Sequence, residues 1–292
     1  MGWALKWDVE GRDWPHRAHS RFVQAAGLRW HVQVAGEGPT ILLLHGTGAA
    51  SHSFSPLLPL LAGHARVIVP DLPGHGFTGA GSGRHTLPGM ARALSELCKT
   101  LGSVPDVIIG HSAGAAIALR MVLDGASPSQ VIAVNGALTP FRGLAALLFP
   151  AMARALALNP LTPLVASRGL SDPTTIARIL SSSGGESYSE MAGYYQTLVA
   201  SPAHVDGALK MMARWDLAPL ERALGRILVP VTLLYGSADK AVPMGETQWA
   251  ASAIPQSEDI VFEGLGHLMH ETHPEEIAKV ILERVPAGAV NI

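Results

Sequence analysis

The chain has 292 residues and a formal net charge of −2, long enough for one large domain or a domain with a sizeable insertion, and without the basic excess that would recruit nucleic acid. Charged residues are only 15% and apolar residues 48%, so apolar surface beyond the core is expected, for a lipophilic ligand, a partner or a membrane face. The single cysteine, Cys98, excludes an internal disulfide; it falls in a helical pattern as a small core residue, and a reducing cytoplasm fits.

The amino terminus carries Lys6, Asp8, Glu10, Arg12 and Asp13, which does not read as a signal peptide, and no run of about 18 apolar residues predicts a spanning helix. Residues 1–19 hold Trp3, Trp7 and Trp14 without periodicity. They read as an arm with its tryptophans tucked in, the alternative being an interface anchor. Phe22–Ala25 and Leu28–Val34, split by Ala26-Gly27, predict a hairpin.

Ile41–Leu44 is a continuous apolar run, as for a strand buried on both faces, and ends in His45-Gly46-Thr47-Gly48. A helix is expected within Ser51–Leu61. Arg66–Pro70 is the next strand, followed by Asp71-Leu72-Pro73-Gly74-His75-Gly76-Phe77-Thr78, and Leu87–Leu101 is a helix. Val107–Ile109 then runs into Gly110-His111-Ser112-Ala113-Gly114 and a helix former run, Ala115–Leu123. This strand–turn–helix matches G-x-S-x-G, in which two glycines relieve crowding around one exposed serine. The free N–H groups of the following helix start favour developing negative charge there.

Val131–Val134, Val231–Tyr235 and Asp259–Phe262 are further strands, and Pro274–Val285 is a closing helix with its proline at the start. Strands alternating with helices predict a mostly parallel, eight-stranded sheet with helices on both faces. Between Ala137 and Ala223 the rhythm is lost in a Leu-, Ala- and Met-rich stretch punctuated by prolines. The expected organisation is a core of 1–136 and 224–292 with a helical cap, 137–223, inserted after the sixth strand. Met152, Met191, Met211 and Met212, with Phe149, Tyr194 and Tyr195, suit either the cap's own core or a large flat apolar ligand. The Leu144–Leu158 stretch could touch a membrane surface, although its basic residues are only Arg142 and Arg154.

His45, Asp71, Ser112, Asp239 and His267 all fall just past strand ends, where such sheets bind ligands. A serine hydroxyl needs a base, and that base needs an orienting carboxylate. Ser112 is the expected nucleophile, His267 its base and Asp239 the orienting acid. The oxyanion of the tetrahedral intermediate is expected at the amides of Thr47 and Ala113. His267, His270 and His273 recur every third residue, but their flanks and Pro274 argue for a loop and helix start, so no metal is expected. No glycine-rich phosphate loop follows a strand, so no nucleotide cofactor is expected either.

These motifs resemble the α/β-hydrolase superfamily over nearly the whole chain, including the chain order Ser112…Asp239…His267 and the Asp71–Gly76 turn, similar to D-x-P-G-x-G. In some relatives the acid follows the sixth strand, where this chain has Asn135-Gly136, so Asp239 is favoured. Asp13–Arg17, Gly27–Gln33, His45–Ala49 and Pro70–Thr78 further resemble the magnesium-chelatase accessory group of bacteriochlorophyll biosynthesis in phototrophic bacteria. That resemblance implies a porphyrin or chelatase context without implying a reaction. Three functions stay open: an ester hydrolase acting on a lipophilic, tetrapyrrole-related substrate; a non-catalytic porphyrin-binding or delivery protein that contacts the chelatase; and acyl transfer by the same triad.

Overall fold

The fold was analysed in a computed structural model, which describes residues 4–140, 155–159, 161–170, 172–182 and 189–286. Eight strands form one sheet: β1 (Ser20–Ala25), β2 (Leu28–Ala35), β3 (Thr40–Leu44), β4 (Arg66–Pro70), β5 (Val107–His111), β6 (Gln130–Val134), β7 (Val231–Gly236) and β8 (Ser257–Phe262). Their spatial order is β1-β2-β4-β3-β5-β6-β7-β8. β1 and β2 pair antiparallel, joined by Ala26 and Gly27 at φ 52° and 73°, the left-handed pair a tight hairpin turn requires. β2 runs antiparallel to β4, and from β4 to β8 every pairing is parallel. This is the mostly parallel sheet expected from the alternating pattern.

The apolar strands have two faces because successive side chains point to opposite sides. Leu42, Leu44, Ile68, Ile108, Val131 and Leu233 pack on the side of α2 (Leu87–Thr100) and α3 (Ala113–Leu123). Ile41, Leu43, Val67, Ile109, Ile132 and Leu234 pack on the opposite side, against α1 (Leu57–Ala62) and the helix Pro274–Leu282. Cys98 is buried on α2. The helix expected within Ser51–Leu61 is split into a 3-10 turn, Ser51–Phe54, and α1, with Pro56 between them unable to donate a continuing N–H. The closing helix ends at Leu282 and is preceded by a short helix, Met269–Thr272, that periodicity does not signal.

Of the amino-terminal arm, Trp3 lies outside the described residues, and the two described tryptophans are tucked against the domain. Trp14 is buried and its indole donates to Ser51 Oγ at 3.1 Å, while Trp7 sets its ring against Phe77 and carries Arg17 over its face at 4.3 Å.

Between β6 and β7 the described residues form helices Thr162–Leu170, Pro173–Ser182, Ser189–Val199, Pro202–Arg214 and Ala218–Glu221. Arg142, Phe149, Met152, Arg154 and the tract Ser183–Gly185 lie outside the described residues, as does most of Leu144–Leu158. Leu156 and Leu158, which are described, are 40% and 83% exposed. No described helix is long and apolar enough to cross a membrane. Met191, Tyr195 and Met211 are buried, whereas Met212 is exposed; Met191 and Tyr195 cluster with Ala49 and Leu268, so this buried surface packs partly against the loops after β3 and β8.

Candidate active site

The turn from β5 into α3 is built by exclusion. A methyl group on Gly114 would lie 2.0 Å from the Leu44 carbonyl oxygen, and one on Gly110 would lie 2.3 Å from the Ala115 nitrogen. Only glycine lets α3 approach the sheet this closely. Ser112 takes the remaining strain, at φ 52° and ψ −117°, a conformation that L-residues rarely hold outside functional turns. Its N–H donates to Val134 O at 3.0 Å, and its carbonyl accepts from Ala115 and Ala137, each at 3.1 Å. The serine is thereby half-buried at the end of the sheet, with Ala113 opening α3 beside it.

The loop after β3 lies against this turn. A Cβ on Gly46 would be 3.1 Å from Ser112 Cβ, so Thr47 follows a point of close backbone approach to the serine. Thr47 itself is exposed, and its hydroxyl donates to Met211 Sδ at 3.5 Å.

Asp239 and His267 are brought together from the loops after β7 and β8. His267 Nδ1 donates to Asp239 Oδ2 at 2.8 Å. The other carboxylate oxygen accepts from Ala241 N at 2.7 Å and Val242 N at 2.9 Å, so the acid cannot rotate away. A carboxylate can only accept, so His267 carries its proton on Nδ1 and keeps Nε2 as the basic nitrogen.

Two residues that sequence reasoning passed over hold the histidine loop, His111 from the serine turn and Asn135 from the end of β6. His111 donates from Nε2 to the His267 carbonyl at 2.9 Å, and the two rings lie 4.7 Å apart. Burial holds the His111 imidazole well below its ordinary pKa, as does the proximity of His270. Asn135, read above only as a residue lacking charge, donates to the carbonyls of Gly266 at 3.0 Å and His267 at 2.8 Å and accepts from Gly236 N at 2.9 Å. Its positive φ of 46° at the end of β6 is a signal consistent with asparagine, though not one that names a partner.

The other strand-end residues have supporting roles. Asp71 accepts from Ser51 N, His31 Nδ1 and Phe77 N at 2.7, 2.9 and 2.9 Å. Burial alone would raise its pKa, but the His31 ring and these donors outweigh it and hold the carboxyl below the ordinary range. His45 accepts the Leu72 N–H at 2.9 Å, and burial lowers its pKa against the raising effect of Asp71. Neither is free to serve as a base.

The three histidines of the carboxyl-terminal repeat go to different partners: His267 to Asp239, His270 to Ser53 Oγ at 2.9 Å and His273 to Thr272 Oγ1 at 2.9 Å. Among the described residues no group of three or more metal-ligating side chains converges. Beside His270, Glu271 is fully buried and accepts from Ser53 and from Tyr195 OH, the latter at 2.7 Å. Burial pushes its carboxyl up to about 7 against the lowering effect of both hydroxyls.

A family model described as the alpha/beta hydrolase family matches residues 41–280. The chain is 41% identical over 274 residues to the "Magnesium-chelatase 30 kDa subunit" of Rhodobacter capsulatus, covering 93% of this chain and 96% of that protein. It is 31% identical over 269 residues to a "Pimeloyl-[acyl-carrier protein] methyl ester esterase" of Aromatoleum aromaticum, covering 86% and 99%. Among solved structures, a thermophilic esterase from Thermogutta terrifontis superimposes with a TM-score of 0.73 at 24% identity, covering 90% of this chain and 97% of that one.

Proposed function

The chain belongs to the α/β-hydrolase family, and from that premise we propose that it is a serine hydrolase cleaving an ester bond in a lipophilic, tetrapyrrole-related substrate. Ser112 Oγ attacks the ester carbonyl carbon as His267 Nε2 takes its proton, and Asp239 orients the ring and stabilises the imidazolium. The amides of Thr47 and Ala113 hold the oxyanion. The alcohol departs with the proton from His267. Water, deprotonated by the same nitrogen, then attacks the acyl-enzyme and releases the acid. Residues 137–223 act as the cap over this centre.

The observation that carries the proposal is the 2.8 Å hydrogen bond from His267 to a carboxylate fixed by two further donors, together with a serine held at φ 52° next to His111, whose ring lies 4.7 Å from that of His267. A constellation with only packing to do has no need of a strained serine. The relative named as a methyl ester esterase supports the bond class, and the one named as a magnesium-chelatase subunit supports the tetrapyrrole setting.

A fluorophosphonate probe tests this directly. Labelling and turnover of p-nitrophenyl esters are expected in the wild type and absent in Ser112→Ala, which keeps its fold. Full activity in that variant refutes the role given to Ser112.

The 41% identity to a protein named as a chelatase subunit favours a second reading, in which the chain binds and delivers a porphyrin to the chelatase with its triad unused. Tight porphyrin binding without any Ser112-dependent labelling decides for it. Acceleration of acyl release by an added alcohol or thiol, in place of water, decides instead for acyl transfer by the triad.

A further inference from the structure

Two loops follow neighbouring strands at the carboxyl edge of the sheet: residues 45–50 after β3, against the serine turn, and 71–78 after β4, one strand further out. They are tied together from within by Asp71, which accepts from Ser51 N, directly after the first loop, and from Phe77 N of the second. A second tie comes from outside, from the helix Pro202–Arg214. His204 accepts the Gly76 N–H on Nδ1 at 3.0 Å and donates from Nε2 to the Gly48 carbonyl at 3.1 Å. One ring nitrogen must be bare and the other must carry a proton, so only the neutral Nε2–H tautomer makes both bonds.

The surroundings hold the ring in that form. Burial lowers its pKa to about 4, helped by the nearby His45 and opposed by the Gly48 carbonyl and Asp71. The same helix face reaches the loops at two further points. A Cβ on Gly207 would sit 2.0 Å from the Gly74 carbonyl oxygen, so helix and turn backbones touch. One turn on, the buried Met211 receives the Thr47 hydroxyl at 3.5 Å. Positions 204, 207 and 211 fall on one side of a helix.

We infer that His204 is a positioning residue, a neutral imidazole clamp by which the helix Pro202–Arg214 sets the backbone of residues 46–48, and with it the Thr47 amide, against Ser112. The inference rests on the serine-hydrolase reading for its catalytic consequence, and on geometry alone for the clamp. This helix is then a fixed wall of the site, and any opening of the cap involves its other helices.

The test uses the full chain as wild type, His204→Ala and His204→Gln, whose amide supplies one acceptor and one donor. In His204→Ala, amide hydrogen exchange in segments 45–50 and 71–78 is expected to rise at least about tenfold. With p-nitrophenyl esters, kcat is expected to fall by about 10- to 100-fold with KM nearly unchanged, because the loss falls on oxyanion stabilisation. His204→Gln is expected to recover part of both. A purely structural role would lower thermal stability without this split between kcat and KM. Unchanged exchange in His204→Ala, or faster exchange with an unchanged kcat, overturns the inference. Should that variant not fold, the 15N shifts of the His204 ring in the wild type decide the matter. A proton on Nδ1, or on both nitrogens, at neutral pH overturns the clamp. Absence of Ser112-dependent labelling in the wild type would sink the hydrolase reading, while the exchange and tautomer measurements would still judge the clamp.

Discussion

The side-chain amide of Asn135 donates to the backbone carbonyl of His267 at 2.8 Å, linking residues 132 positions apart in the chain. The same carbonyl accepts from His111 Nε2 at 2.9 Å, so the segment carrying the proposed base is held from the ends of both β5 and β6. Asn135→Ala would leave the buried Gly236 N–H without its acceptor and remove two donors. It is expected to cost roughly 2–4 kcal/mol in chemical denaturation and to lower kcat of the folded protein. A loss below about 0.5 kcal/mol, within the range of an ordinary surface substitution, would remove Asn135 from this role.

Asp239→Asn separates geometry from charge. The N–H groups of Ala241 and Val242 would claim the amide oxygen, turning the NH2 toward His267. Nδ1 would then have to accept, which places the imidazole proton on Nε2, where it cannot act as a base. The expected outcome is a loss of about 10⁴-fold in kcat with the melting temperature nearly preserved. A modest kcat loss would mean that another acid orients His267.

Gly114→Ala measures how tightly α3 is pressed on the sheet. Its methyl group would lie 2.0 Å from the Leu44 carbonyl oxygen, so backbone must move. Destabilisation of about 3 kcal/mol or more is expected. Gly125→Ala is the control: its φ of 105° is strained for alanine, but nothing lies within 4 Å. It is expected to cost roughly 1 kcal/mol, measured in the same denaturation series.

Glu271 makes stability depend on pH. Burial raises its carboxyl from 4.5 to about 7 in the folded protein. Between those values the unfolded chain has released its proton while the native state still holds one, so stability falls as pH rises. The full loss is about 3 kcal/mol and is reached near pH 7. Glu271→Gln keeps an acceptor for Ser53 and Tyr195 and lacks this titration. It is expected to match the wild type near pH 4 and to exceed it in stability at pH 8. Parallel denaturation curves at all pH values would show that Glu271 titrates normally. The buried His52 and His270, both lowered to about 3 chiefly by burial, act in the opposite direction below pH 6.5 and cancel between the two proteins.

The strands were legible because parallel strands buried on both faces read as short apolar runs such as Ile41–Leu44, with glycine-rich turns after them. The serine turn was legible because its geometry admits glycine alone at positions 110 and 114. The short helix Met269–Thr272 and the split at Pro56 were not, since each depends on where single N–H groups find acceptors in the assembled fold.

Asn135, His111 and His204 carry no pattern of their own. An isolated asparagine or histidine becomes a clamp only when distant loops bring a carbonyl or an N–H to within 3.1 Å of it. The order of elements and the residue types at the strand ends were therefore determined by the chain itself, through hydrophobic periodicity and steric demand on glycine. That His45 and Asp71 are taken up by structural partners was decided by tertiary structure alone. The partners that consume His45 and Asp71, and the carboxylate that leaves one nitrogen of His267 bare, come from segments far apart in sequence.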